Sequence, residues 1–283
     1  MSTPKGTSEI NGAGESTVTR VVSRDGTEIA YWTSGEGPPL VLVHGATADH
    51  TVWHPLLPYL EPHATVHALD RRGRGASGDG PDYHAGREFE DVAAVIDAVA
   101  EASGAAVDVL GHSLGGFFAL GAVTLTPNMR KLVLYEPPVN PEASAFPGVE
   151  ERLNALLAEG NREGVLVTFL REVAMIPEEG IIGFRALPGW WEARIAAAHT
   201  IPREFRAPFE AALDPEQAST IAVPTVMLTG GDSPDYMRAA TESLAAALPD
   251  AHITVLDGQQ HIAHVLVPQV FAEHVVAFMR DQS

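Results

Sequence analysis

Residues 109–116 read Val109-Leu110-Gly111-His112-Ser113-Leu114-Gly115-Gly116. Just before the glycine, Ala106–Leu110 is a short apolar run, the pattern of a strand buried on both faces. Just after the serine, Leu114–Leu125 is apolar nearly all round, as expected of a helix packed on a sheet rather than on the surface. Gly111-x-Ser113-x-Gly115 therefore has to turn the chain sharply from strand to helix. A turn that tight strains its central residue, and glycines two before and two after let the flanking backbones pack closely. The Ser113 hydroxyl is then presented above the sheet at a helix N-terminus, whose N–H groups and dipole favour developing negative charge. A bare G-x-S-x-G arises often by chance, and a capping serine in an ordinary turn is the alternative. The strand before and the buried helix after give this copy its specificity.

Outward from this point the chain alternates strands and helices. Thr19–Val22 and Glu28–Thr33 read as a hairpin with Asp25-Gly26 at its turn. Leu40–Val43, Thr65–Leu69, Lys131–Tyr135, Thr225–Leu228 and Ile253–Leu256 are further short apolar runs. Phe89, Val92, Ile96 and Val99 recur on one helical face, with Gly104 as the stop. Thr241–Leu248 and Val270–Met279 complete the helices. This alternation predicts an α/β fold, a mostly parallel eight-stranded sheet with helices on both faces and an antiparallel hairpin at one edge. Between about Pro137 and Gln217 the alternation stops. Glu150–Glu159, Val165–Val173, Trp191–His199 and Glu204–Leu213 look helical, and no strand is evident. The expected organisation is a flexible tail over 1–17, a core of 18–136 and 222–283, and a helical cap over 137–221.

Composition narrows the partners. The chain has 283 residues, with 18 Lys+Arg against 37 Asp+Glu, a net charge of −19. Such a chain repels phosphate backbones and anionic membrane surfaces, so no nucleic-acid or membrane partner is expected. An apolar fraction of 45% suffices for a large core. Without cysteine there is no disulfide framework, thiolate metal site or thiol nucleophile. Charges interrupt every apolar stretch well short of a membrane span, and the first 17 residues lack the apolar run of a signal peptide. A soluble, cytoplasmic protein acting on a small molecule, with no cofactor and no metal, is the expectation; the oligomeric state stays open.

The elbow and its setting resemble those of α/β-hydrolase-fold proteins, over roughly residues 18–136 and 222–281. His44-Gly45-Ala46, after the third strand, resembles that family's oxyanion loop. Asp70-Arg71-Arg72-Gly73-Arg74-Gly75-Ala76-Ser77, after the fourth, resembles its D-x-R-G-x-G-x-S turn, read here as architecture rather than catalysis. Carried over residue by residue, the resemblance implies Ser113 as nucleophile and His261, in the loop after the last strand, as the base that a serine needs. His264 is the rival base. Asp232, after the strand Thr225–Leu228, falls in the acid position and would hold the imidazole. Asp235 is its nearest rival, and Glu136, after the preceding strand, is a less common alternative. The chain order Ser113, Asp232, His261 fits the fold. Backbone N–H groups of Ala46 and Leu114 would form the oxyanion hole.

The insertion would set the substrate. Trp53, His112, Phe117, Phe146, Trp190 and Trp191 are the candidate pocket residues, although each aromatic could equally pack the protein together. Arg185 and Arg194 could meet an acidic group, but each is read as solvated. The expected activity is that of a serine hydrolase cleaving a carboxylic ester or lactone via an acyl-enzyme. A C–C hydrolase, a hydroxynitrile-lyase-type lyase or a cofactor-free haloperoxidase or perhydrolase would use the same triad. Serine at the elbow argues against the dehalogenase and epoxide hydrolase branches, which the resemblance associates with aspartate. A non-catalytic binding module is disfavoured because no triad member is missing.

Overall fold

Eight strands form one sheet: β1 (Thr17–Val22), β2 (Glu28–Ser34), β3 (Pro39–Val43), β4 (Thr65–Leu69), β5 (Val107–His112), β6 (Met129–Tyr135), β7 (Thr225–Gly230) and β8 (Ala251–Leu256). These come from a computed structural model that describes residues 17–187 and 189–281. Apart from Thr17, the tail expected over 1–17 lies outside the described residues. The helices are α1 (Leu57–Leu60), α2 (Ala85–Ser103), α3 (Leu114–Ala122), α4 (Val149–Ala158), α5 (Arg162–Glu172), α6 (Glu178–Arg185), α7 (Trp190–Ala197), α8 (Ile201–Glu210), α9 (Pro215–Ala218), α10 (Asp235–Ala247), α11 (Ala263–Leu266) and α12 (Pro268–Arg280). None of the described helices is long and apolar enough to cross a membrane.

The strand order is β1-β2-β4-β3-β5-β6-β7-β8. β1 and β2 pair antiparallel, β2 joins β4 antiparallel, and the remaining pairs are parallel. Gly26, at φ 90°, makes the hairpin turn. Alternate residues along each central strand feed opposite layers. Val41, Val43, Val109, Leu132, Leu134 and Met227 pack under α2, α3 and α10. Leu40, Leu42, Leu110, Val133, Val226 and Leu228 pack under α1 and α12. Burial on both faces explains why these strands are apolar runs rather than alternating ones. Gly104, at φ 67°, ends α2 as the sequence predicts. Gly121 of α3 has no side chain because a Cβ there would enter the Phe89 ring of α2.

The register sets where chemistry can occur. Val43, Gly111, Leu134 and Met227 lie in one row across β3, β5, β6 and β7. The segments that follow these four parallel strands therefore emerge side by side at one sheet edge, where open α/β sheets bind ligands. All described elements between β6 and β7 are helical, α4 to α9, in agreement with a cap. They share a small core of their own, including Leu153, Leu166, Leu170, Ile181, Ile201 and Phe205. The sequence pattern missed α6, a short helix containing two glycines.

Two arginines of the glycine-rich turn tie this insertion to the core. Arg71 and Arg74 both reach Glu204 of α8, and Arg74 also reaches Thr200. Arg71 in addition grips Glu88 of α2 through two hydrogen bonds of 2.9 and 2.7 Å. Arg72 binds Asp91 and Asp25. Both oxygens of the Asp70 carboxylate are engaged, Oδ2 accepting from the Ala76 N–H within the turn and Oδ1 from the His50 N–H.

Candidate active site

Ser113 has φ 51° and ψ −127°, a region that side chains rarely enter and that costs about 1–3 kcal/mol. The surrounding glycines hold it there. A Cβ on Gly115 would collide with the carbonyl oxygens of Val43 and His44, and one on Gly111 would collide with Gly116. With hydrogens in those places, the first turn of α3 docks against the end of β3. The loop His44-Gly45-Ala46 is drawn close as well, since a Cβ on Gly45 would stand 3.1 Å from the Ser113 Cβ. Ala46, Ser113 and Leu114 consequently line one cavity.

His44 stiffens that loop. It is fully buried, its Nδ1 bonded to the Gly45 carbonyl at 2.8 Å and its Nε2 accepting from the Arg71 N–H at 3.1 Å. Those contacts fix one neutral tautomer. Burial, and next the charges of Arg71 and Arg74, hold its pKa well below the usual range. The Arg71 side chain also donates to the Gly45 carbonyl at 3.1 Å. The glycine-rich turn thus reaches the His44-Gly45-Ala46 loop as well as the helical insertion.

The His261 imidazole meets Glu136, not Asp232. Nδ1 of His261 lies 2.7 Å from Oε2 of Glu136. Oε1 of the same carboxylate accepts from the Thr229 hydroxyl at 2.9 Å and from the Gly230 N–H at 2.8 Å. Burial alone would raise the Glu136 pKa, but the hydrogen bond and charge of His261 and the Gly230 N–H outweigh it and the net shift is downward. Glu136 is ionised and acceptor-only, so His261 carries its proton on Nδ1, leaving Nε2 for proton transfer. Asp232 is exposed, and its backbone N–H bonds to the Gln259 carbonyl. The expectation for Asp232 is therefore corrected. β6 ends at Tyr135, opposite Leu228, while β7 runs on to Gly230, so Glu136, the first residue beyond β6, stands beside the last residues of β7; at φ 46° its carboxylate bonds both Gly230 and His261. The Gly230-Gly231 turn carries Asp232 past that point into solvent. The sequence signal for Glu136, an acid directly after the apolar run 132–135, is the one that makes it the less common alternative.

Two residues pin the base loop. His112 Nε2 bonds to the His261 carbonyl at 2.9 Å. The Tyr135 hydroxyl donates to the Gln260 carbonyl and accepts from the Ala263 N–H. His264, the rival base, is buried with neither ring nitrogen partnered, its ring tilted against those of Trp53 and His112. It lacks the carboxylate that a base needs.

The cavity has a volume of about 670 Å³, within the usual size for small-molecule sites. His112, Phe146 and Trp190 line it, as the sequence suggested. Trp53, Phe117 and Trp191 do not. Trp53 is sunk among Leu56, Leu60 and Phe271 on the α12 side of the sheet. Phe117 turns to Phe89 and Phe118. Trp191 enters the insertion's core and donates Nε1 to Glu163 at 3.2 Å. Large apolar side chains serve packing as readily as ligands, and only the direction of each helix face separates the two. Arg185 is half-exposed and paired with Glu163, but Arg194, expected in solvent, is buried and lines the cavity.

The model of the "Alpha/beta hydrolase family" matches residues 40–274. Among solved structures, an alpha/beta hydrolase from Sphaerobacter thermophilus superposes with a TM-score of 0.81 at 36% identity, covering 92% of this chain and 100% of that one. A pimeloyl-[acyl-carrier protein] methyl ester esterase of Xanthomonas campestris is 30% identical over 80% of this chain and 89% of its own. An N-formylmaleamate deformylase of Pseudomonas putida is 39% identical, over 40% of this chain and only 42% of that protein.

Proposed function

The chain belongs to the alpha/beta hydrolase family, and on that premise we propose that it is a serine hydrolase cleaving a carboxylic ester or lactone through an acyl-enzyme on Ser113. The observation that carries this reading is the Glu136–His261 contact at 2.7 Å beside a serine held at φ 51°.

The sequence of steps follows from the groups present. Ser113 Oγ attacks the scissile carbonyl carbon while His261 Nε2 takes its proton. Glu136 steadies the imidazolium through Nδ1 and remains a carboxylate. The negative oxygen of the tetrahedral intermediate accepts from the Ala46 and Leu114 N–H groups, which are fixed before the reaction begins. His261 then returns the proton to the leaving alcohol as the C–O bond breaks. Water enters, loses a proton to His261 and attacks the acyl carbon. Collapse releases the acid and restores Ser113. The relative named as a methyl ester esterase supports ester chemistry. The partial match to a protein named as a deformylase favours a second reading, cleavage of a formyl–nitrogen bond by the same steps.

A fluorophosphonate probe, para-nitrophenyl esters of graded length, a lactone panel and N-formyl amides together test this. Probe mass on the Ser113 peptide and a burst of nitrophenol are expected. Turnover with no acyl-enzyme would indicate a lyase-type use of the triad, and absence of labelling would overturn the assignment.

A further inference from the structure

Arg194 is 2% exposed and lines the same cavity as Ser113 and His261. Its guanidinium carbon lies 3.3 Å from the centroid of the Trp190 ring. Nη1 donates to the Trp190 carbonyl at 3.2 Å, and Nε is buried with no partner. Among the described residues no carboxylate comes within ion-pair distance of it. The other buried charges near the cavity are matched: Arg71 and Arg74 answer Glu88 and Glu204, and Glu136 answers His261. Asp49 is near enough to favour the charged form of Arg194, yet forms no pair with it.

A buried, unpaired cation is costly in the empty protein, and guanidinium is suited to carboxylate because its planar donors match two oxygens. Burial lowers the Arg194 pKa to about 9, which still leaves it charged near neutrality. Its neighbourhood is close to the chemistry. The Arg194 charge acts on His264, whose ring lies 4.2 Å from that of His112, and His112 precedes Ser113. His264 is itself a buried imidazole with both nitrogens free to meet a ligand.

We propose that Arg194 is the subsite for a carboxylate carried by the substrate in addition to its scissile group, so that the enzyme acts on anionic acyl compounds such as hemiesters of dicarboxylic acids. The proposal rests on the Ser113 hydrolase reading for its chemistry, but binding at Arg194 can be read without turnover. The surrounding wall is apolar, with Phe146, Phe205 and Trp190, so one buried charge would fix the orientation of an otherwise hydrophobic chain.

The test compares para-nitrophenyl hemiesters of glutarate and adipate with the same esters ending in a neutral carboxamide. In the wild-type enzyme kcat/KM is expected to favour the carboxylate by about tenfold or more, chiefly through KM. Arg194→Gln should bring that ratio to about one, and Arg194→Lys should keep part of it. A wild-type ratio of one or below, or a ratio unchanged in Arg194→Gln, would overturn the subsite. Should Arg194→Gln fail to fold, competitive inhibition of the carboxamide ester by adipate in the wild-type enzyme decides: inhibition matched by neutral adipamide counts against the proposal. Calorimetric binding of adipate to Ser113→Ala, with and without Arg194→Gln, separates the two readings. If Ser113→Ala still turns over esters, the nucleophile is wrong; if it binds adipate no better than adipamide, the subsite is wrong.

Discussion

Glu136 and His261, 125 positions apart, meet at 2.7 Å because the carboxylate stands directly beyond β6 on a left-handed residue of φ 46°. Ser113 at φ 51° and Thr47 at φ 62° are two more non-glycine residues in that region, one on the elbow and one beside Ala46. Three strained residues thus sit where parallel strands end and the cavity opens. Strain of this kind persists only where its surroundings over-determine it. Here the tight glycine contacts around Gly115 and Gly45 and the hydrogen bonds to Glu136 supply that constraint.

The nucleophile gives the first expected outcome. Ser113→Ala should lower kcat on para-nitrophenyl butyrate by about 10⁴–10⁶-fold with the melting temperature preserved. Retention of more than about a tenth of wild-type turnover would remove Ser113 from the mechanism. His261→Ala should be nearly as severe, and the double variant little worse, because the members act as a unit.

The two candidate acids part company in the second. Glu136→Gln keeps the shape but removes the charge that stabilises the imidazolium, so a fall in kcat of about 10⁴-fold is expected. Asp232→Asn, on an exposed side chain, should stay within about twofold of wild type. Steady-state kinetics on one ester decides between them, and the reverse order would restore the sequence-based choice.

Close packing at the elbow gives a stability prediction. Gly115→Ala places a methyl group inside two backbone carbonyls that cannot swing aside, so a loss of more than about 3 kcal/mol, or failure to fold, is expected. Gly160→Ala, at φ 73° with open space around it, should cost about 1–2 kcal/mol from backbone strain alone. Urea unfolding of both variants measures the difference.

Buried imidazoles set the response to acid. His44 and His112 have pKa values well below the usual range, His67 is lowered to about 4 and His264 to about 3, with burial the first cause in each. Below a pH of about 6.5 the unfolded chain takes up protons that the folded chain refuses, so stability falls as pH falls. Each fully shifted histidine adds a slope of up to about 1.4 kcal/mol per pH unit. Asp91, raised to about 6 by burial, works in the opposite direction over the lower part of that range. Asp108, also raised by burial, acts in the same sense as Asp91; the four histidines outnumber these two carboxylates and leave a net loss of stability on acidification. Unfolding free energies at pH values of about 7.5, 6 and 5 should decline in that order, and a flat profile would contradict the neutral buried imidazoles.

Much of the candidate site was legible because it is local in sequence. Gly111, Ser113 and Gly115 specify a turn through sterics that neighbouring residues alone determine, and the apolar runs on either side show that the turn joins a buried strand to a buried helix. The parallel sheet follows from the same runs, since strands covered on both faces have no polar face to display. His261 is singled out as the candidate base by its place after the last strand, where the resemblance puts it.

What the sequence by itself determined, then, is the elbow, the order of strands and helices and the loop that bears the candidate base. Only tertiary structure decided which acid reaches that base. Glu136 and Asp232 follow adjacent parallel strands that end at one sheet edge, and no periodicity distinguishes them. The choice lies in the φ of one residue and in a two-glycine turn that carries the other outward. The same holds for the cavity wall. Trp190 faces the cavity and Trp191 the insertion's core because successive helical residues point about 100° apart. Arg194 is buried in a cavity whose lining residues run from Ala46 to Val265, an assembly of distant segments that no local pattern of charge and hydrophobicity encodes.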